Sequence, residues 1–79
     1  MYLKDAIVKR FDQYCRERCI AYNELANSSG VTPSTVYSML DSDRRDISIK
    51  TVKRLCDGLE ISLSEFFSSD LFDELDEDL

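Results

Sequence analysis

No histidine occurs in this 79-residue chain, and it holds only two glycines and one proline. Without histidine the usual mixed Cys/His zinc sets cannot be completed. A metal site would need Cys15, Cys19 and Cys56 plus a carboxylate. None of these cysteines forms a Cys-x-x-Cys pair. Cys15 and Cys19, four apart, are neighbours on one helix face, and the plain expectation for all three is small apolar core residues in a reducing compartment. The missing imidazole removes the commonest general base, and two isolated glycines cannot build a phosphate-cradling loop. An enzyme is therefore not expected, nor a cofactor or bound metal. No stretch approaches the roughly 18 to 20 apolar residues of a membrane span. The start, Met1-Tyr2-Leu3-Lys4-Asp5, soon becomes charged and has no apolar signal segment, so a cytoplasmic protein without membrane contact is expected.

Basic residues are missing from one region in particular. Residues 70–79 contain Asp70, Asp73, Glu74, Asp76, Glu77 and Asp78 and no lysine or arginine, whereas residues 1–69 hold ten acids and all ten bases. The net charge of -6 thus belongs to the C-terminal end. A neutral body can still bind phosphate where its bases cluster, because local potential matters more than the sum. The expected organisation is one domain over residues 1–69 followed by an acidic tail over 70–79.

What is present is helical periodicity. Ile7, Phe11 and Tyr14 or Cys15 mark one face of a first helix from about Tyr2 to Arg18, with Lys4, Lys9, Arg10 and Arg16 mostly off that face. A second helix, about Tyr22 to Ser29, would bury Leu25 and Ala26. Gly30 then stands where the chain must turn with positive φ. Thr32 can cap the free amides of a third helix, with Pro33 at its first position and Val36 and Leu40 buried. A fourth helix follows Ser48 and would bury Ile49, Val52, Leu55, Cys56 and Leu59, with Gly58 weakening the pattern. Ser62-Leu63-Ser64-Glu65 has capping-box spacing and opens a short fifth helix, whose Leu63, Phe66 and Phe67 would close the core. Leu71, Phe72, Leu75 and Leu79 alternate with acids; that segment either extends the fifth helix or stays mobile. The chain therefore reads as all-α, a compact bundle of five helices.

One group of residues says more than periodicity does. Leu25-Ala26, Gly30-Val31-Thr32, Ser34-Thr35-Val36 and Met39-Leu40, then Ser48-Ile49-Lys50-Thr51-Val52, Leu55-Cys56 and Leu59-Glu60-Ile61-Ser62-Leu63, occur together at set distances. Over about residues 6 to 67 this pattern resembles the Cro/C1-type helix-turn-helix domain of phage repressors and bacterial regulators, the lambda repressor-like fold. The resemblance implies that the second and third helices form the helix-turn-helix and that the third enters the major groove of double-stranded DNA. Carried over by position, Pro33, Ser34 and Ser38 face bases, with Thr32, Thr35 and Tyr37 beside them. Tyr22 and Asn23 at the start of the second helix, and Arg44 and Arg45 after the third, fall at phosphate-contacting positions.

This sequence departs from many relatives in ways that bear on mechanism. Its third helix presents no Gln, Asn or Arg, so hydroxyls and the Tyr37 ring stand in place of bidentate base readers. Ala21 replaces the usual threonine or serine before the second helix, which removes one cap. The expected function is a sequence-specific transcriptional regulator acting as a homodimer, with Phe67, Leu71, Phe72 and Leu75 as candidate dimer contacts. The alternative is a protein-interaction module, such as an antitoxin or anti-repressor partner, that uses the same fold without strong DNA binding. A further expectation is that the acidic tail folds back on the basic loop as a DNA mimic.

Overall fold

A computed structural model of the chain describes residues 1–44 and 46–76. Five α-helices follow one another: α1 (Leu3–Arg18), α2 (Tyr22–Ser29), α3 (Pro33–Leu40), α4 (Ile49–Leu59) and α5 (Leu63–Phe67). A single 3₁₀ turn over Asp70–Phe72 comes after them, and the described residues contain no strand. The all-α, five-helix reading holds.

The helix ends follow from the capping chemistry. Thr32, Ser48 and Ser62 each accept a backbone N–H of the following turn, from Thr35, Lys50 and Glu65 respectively. Gly30 ends α2 with φ of 71°, which lets Val31 N–H reach back to the Ala26 carbonyl at 3.1 Å. The lost cap before α2 is partly replaced, because the Glu24 carboxylate accepts the Ala21 N–H at 3.3 Å.

One core lies between the helices, built from Ile7, Phe11, Tyr14 and Cys15 of α1, Leu25 and Ala26 of α2, Val36 and Met39 of α3, and Val52, Leu55, Cys56 and Leu59 of α4. Ile61 and Phe66 close it, and the Phe66 ring lies 4.4 Å from that of Phe11. Gly58 does not merely weaken α4. A Cβ there would fall 2.0 Å from Ser29 Oγ and 3.1 Å from Ser29 Cα, so the glycine lets α4 and the end of α2 approach closely.

Several positions differ from the sequence reading. Met39 is buried in α3, and Leu40 is only half-buried. Ile49 is 60% exposed rather than buried. It is the first residue of α4, and helical side chains lean toward the N-terminus, so it reaches past the core while Ile47 packs there instead. Cys15 and Cys56 are core residues, but Cys19 is exposed at the left-handed end of α1.

Lys4 is 3% exposed, although it was placed off the buried face. It lies three residues before Ile7, on the same stripe, and its ammonium donates to the Asp41 carbonyl at 2.6 Å. Arg10 acts similarly at α5, donating to the carbonyls of Phe66 at 2.8 Å and Glu65 at 3.0 Å. Arg18 donates to the Leu59 carbonyl at the end of α4. Three bases of α1 thus close the C-terminal ends of three other helices, where carbonyls lack intrahelical partners and the helix dipole favours cations.

Residues 70–76 do not extend α5, and among the described residues no hydrogen bond or ion pair joins them to the basic loop. Ser69 caps the 3₁₀ turn, and the Phe72 ring packs 4.9 Å from Phe67 and 6.0 Å from Phe66. The chain then returns to the start of α1, where Asp76 N–H donates to the Met1 carbonyl at 2.9 Å and the Asp76 carboxylate takes the Met1 ammonium at 2.5 Å. Among the described residues, the acidic segment therefore lies beside the N-terminus of α1. Glu77, Asp78 and Leu79 fall outside the described residues.

Candidate nucleic-acid interface

Val36 and Met39 fix α3 from beneath, and their burial decides which side chains are left outside. Thr32, Pro33, Ser34 and Tyr37 are exposed, and Thr35 and Ser38 are half-buried. Thr32 Oγ1 accepts the Thr35 N–H at 3.3 Å and lies 3.0 Å from Thr35 Oγ1, so the first turn carries an ordered pair of hydroxyls. The Tyr37 ring stands out from the helix at 54% exposure. Its hydroxyl donates to Asn23 Oδ1 at 3.3 Å, which joins the outer face of α3 to the first turn of α2.

Thr35 and Ser38 also line a notch of about 150 Å³ that reaches the start of α4 through Arg44, Asp46, Ser48 and Thr51. Arg44 is thereby brought to the flank of α3. Its Nε lies 3.8 Å from an Asp41 carboxylate oxygen, and both side chains are largely exposed. An exposed pair at that distance contributes little, about 0 to 1 kcal/mol, and leaves the guanidinium free to turn toward another anion. Arg45 lies outside the described residues.

The electrostatics of the helix starts sharpen the picture. Neither α3 nor α4 carries an acidic residue in its first turn, although Asp46, two residues before the α4 cap, lines the same notch. The arrangement offers hydroxyls, one guanidinium and the helix-start amides that Thr32 and Ser48 do not cap, groups that bind a phosphate diester, against the single carboxylate of Asp46. The start of α2 differs, because Glu24 occupies it.

Tyr22 is placed less simply than its position implied. It is half-buried, and its hydroxyl donates inward to Asp12 Oδ1 at 3.0 Å while Asp12 Oδ2 holds Arg16 at 2.8 Å. Burial, and then the Asp12 hydrogen bond, push the Tyr22 phenol well above its ordinary value of 10.0. Its hydroxyl is thus engaged with α1, whereas Asn23 is exposed beside Tyr37.

Ser48 and Thr51, which line the notch, are not among the contact positions expected from the sequence, and Ile49 at the start of α4 is exposed where a core residue is expected. Ser48 was visible only as a cap. Ile49 carried no usable signal, because its spacing from Val52 and Cys56 matches a buried stripe.

No helix among the described residues is long and apolar enough to cross a membrane. No curated protein and no solved structure matches the chain. The profile of the Cro/C1-type HTH DNA-binding domain matches residues 10–70, from the middle of α1 to the start of the 3₁₀ turn, and includes every element that builds this surface. With the helix-turn-helix of α2 and α3 in place inside a five-helix bundle, the chain belongs to the Cro/C1-type HTH DNA-binding domain family.

Proposed function

We propose that the protein is a sequence-specific transcriptional regulator, in which α3 lies in the major groove and two copies bind one operator. The observation that carries this reading is the outer face of α3, where exposed hydroxyls and an upright tyrosine stand over buried Val36 and Met39. Pro33, Ser34 and Ser38 would meet base edges, with Thr32, Thr35 and Tyr37 beside them. Serine hydroxyls both donate and accept, and Pro33 and the Tyr37 ring offer apolar contact to a thymine methyl. Asn23 would face one phosphate run, the Tyr22 hydroxyl being held inward by Asp12, and Arg44 and Arg45 another. Because this face has no bidentate reader, groove shape and bridging water would carry part of the specificity.

One such domain spans a half-site, so two copies on a near-palindromic operator follow, with recognition helices about 34–36 Å apart. The test is a Ser34→Ala/Tyr37→Ala variant assayed on DNA selected from a random library. Affinity should fall at least about tenfold, roughly 1.4 kcal/mol, while helical circular dichroism is kept. Unchanged affinity would remove this face from the reading.

A second reading draws on the fate of the bases. Lys4, Arg10 and Arg18 are spent on helix ends, and Lys53 is paired with Asp57. A body so short of free cations also suits a protein-interaction module. Salt-dependent retention on a DNA column supports the regulator; passage without retention supports the module.

A further inference from the structure

A groove of about 300 Å³ runs between α1, the start of α2 and the end of α3. Val8, Leu40 and Tyr22 give it an apolar lining, and all three pack against the core. Lys4 lies along it, and its ammonium sits on the Asp41 carbonyl, between Leu40 and Ser42, which both line the groove. The one buried charge among the described residues is therefore at the groove wall.

That ammonium is under-used. It has three donors, and its one hydrogen-bond partner among the described residues is a neutral carbonyl. The Asp41 carboxylate is turned elsewhere, accepting the Asp43 N–H and facing Arg44. No carboxylate among the described residues comes within ion-pair distance of Lys4. The other charges along the groove largely cancel. Asp12 is held by Tyr22 and Arg16, and the exposed Asp5 and Lys9 add one charge of each sign. Lys4 remains as the charge that a ligand would meet at depth, where screening is weakest.

We propose that this groove binds a small organic carboxylate with a short apolar body. The carboxylate takes the free donors of Lys4 and the Ser42 hydroxyl, and the hydrocarbon lies on Val8, Leu40 and the Tyr22 ring. A buried cation and a hydroxyl at one end of an apolar trough, at the lower end of the usual ligand-site volumes, fit that class. An inorganic anion would leave the apolar lining wet.

The site can be tested without DNA, so its failure is separable from that of the regulator reading. Hexanoate, hexanol and inorganic phosphate would be titrated into the full chain while the amide shifts of Val8, Tyr22, Leu40 and Ser42 are followed. Hexanoate should give saturable shifts at all four with a millimolar Kd, and hexanol and phosphate should bind at least about tenfold more weakly. Lys4→Met should weaken hexanoate by at least about tenfold and Ser42→Ala by about threefold. Equal binding of hexanol would overturn the role of the charge, and equal binding of phosphate the role of the trough. No saturable shift up to about 20 mM hexanoate would overturn the site itself. Should Lys4→Met not fold, the Ser42→Ala titration and the hexanol comparison still decide.

Discussion

Gly58 and Ser29 meet where α4 passes the end of α2, and each explains the other. The Ser29 hydroxyl is buried without a hydrogen-bond partner among the described residues, and a Cβ at position 58 would lie 2.0 Å from it. Gly58→Ala should therefore cost about 1–3 kcal/mol in urea denaturation, as an overpacked contact does. Ser29→Ala should be neutral or stabilising by up to about 1 kcal/mol, since it removes an unsatisfied oxygen. In the double variant the closest clash is gone, so its cost should fall below that of Gly58→Ala alone. Additive costs would mean that the two residues do not share this contact. From the sequence, Gly58 could be read only as a weak point in a helix, because the partner that requires it lies on another element. Lys4 and Ile49 failed to be legible for a related reason. A charged residue on the buried stripe, and an apolar residue at its end, reverse the ordinary rule only when a carbonyl or an open edge is known to be nearby.

Residue chemistry also sets an alkaline limit. Burial, and then the charge of Asp57, push the Cys56 thiol from its ordinary 9.0 up to about 11, and Tyr22 is raised from 10.0 in the same direction. Both groups are neutral when protonated. Their contribution to stability is therefore complete below the ordinary value and is lost as pH rises, because the unfolded chain releases these protons first. The urea midpoint should fall as pH passes from 9 to 11, and Cys56→Ala should reduce that fall. Cys15, raised by burial and then by Asp12, leaves a remainder in the variant. A midpoint that is level over this range would contradict the burial of Cys56.

At the scale of the element, most helices begin and end by rules visible in the chain. Thr32-Pro33, Ser48 and the Ser62–Glu65 spacing fixed three helix starts in advance, and the structure places all three caps as expected. The ends were harder to read. Gly30 announced one left-handed stop, but α1 and α4 stop in the same conformation at Cys19 and Glu60, with φ of 55° and 59°. The α4 stop is held by a tertiary contact, since Arg18 closes that end from α1, and such a contact leaves no local signature. A side chain in the left-handed region costs about 1 kcal/mol relative to glycine. Glu60→Gly should accordingly raise stability by about 0.5–1 kcal/mol without moving α4, read as a higher urea midpoint at unchanged m-value. A lower midpoint would show that Glu60 makes a compensating contact. The α2–α3 unit was the most legible element, because Ala26, Gly30, Thr32 and Val36 each have a local steric or hydrogen-bonding reason. The contacts of its outer face were legible only as positions.

For the whole molecule the charge layout bears on how DNA could be held. The acidic segment up to Asp76 lies by the start of α1, and three of the ten bases are fixed to helix ends, so positive potential near α3 rests on few groups. Arg44 and the starts of α3 and α4, with no acid in their first turns, are the described ones, and Asp46 opposes them. Dipoles and hydroxyls bring no full charge to neutralise a phosphate and so release few of the counterions condensed on DNA, and the salt dependence of binding should be shallow and carried by individual arginines. If two copies bind one operator, Arg44→Gln removes two phosphate contacts, and the slope of log K against log salt should become less steep by about 2. The loss should be similar on good and poor sites, because a phosphate contact carries no sequence information. Ser34→Ala should do the reverse, leaving the slope in place while narrowing the gap between selected and random DNA. A slope unchanged by Arg44→Gln would mean that the notch beside α3 takes no phosphate, and would shift the interface toward the outer side of α4, where Lys50 and Arg54 are exposed.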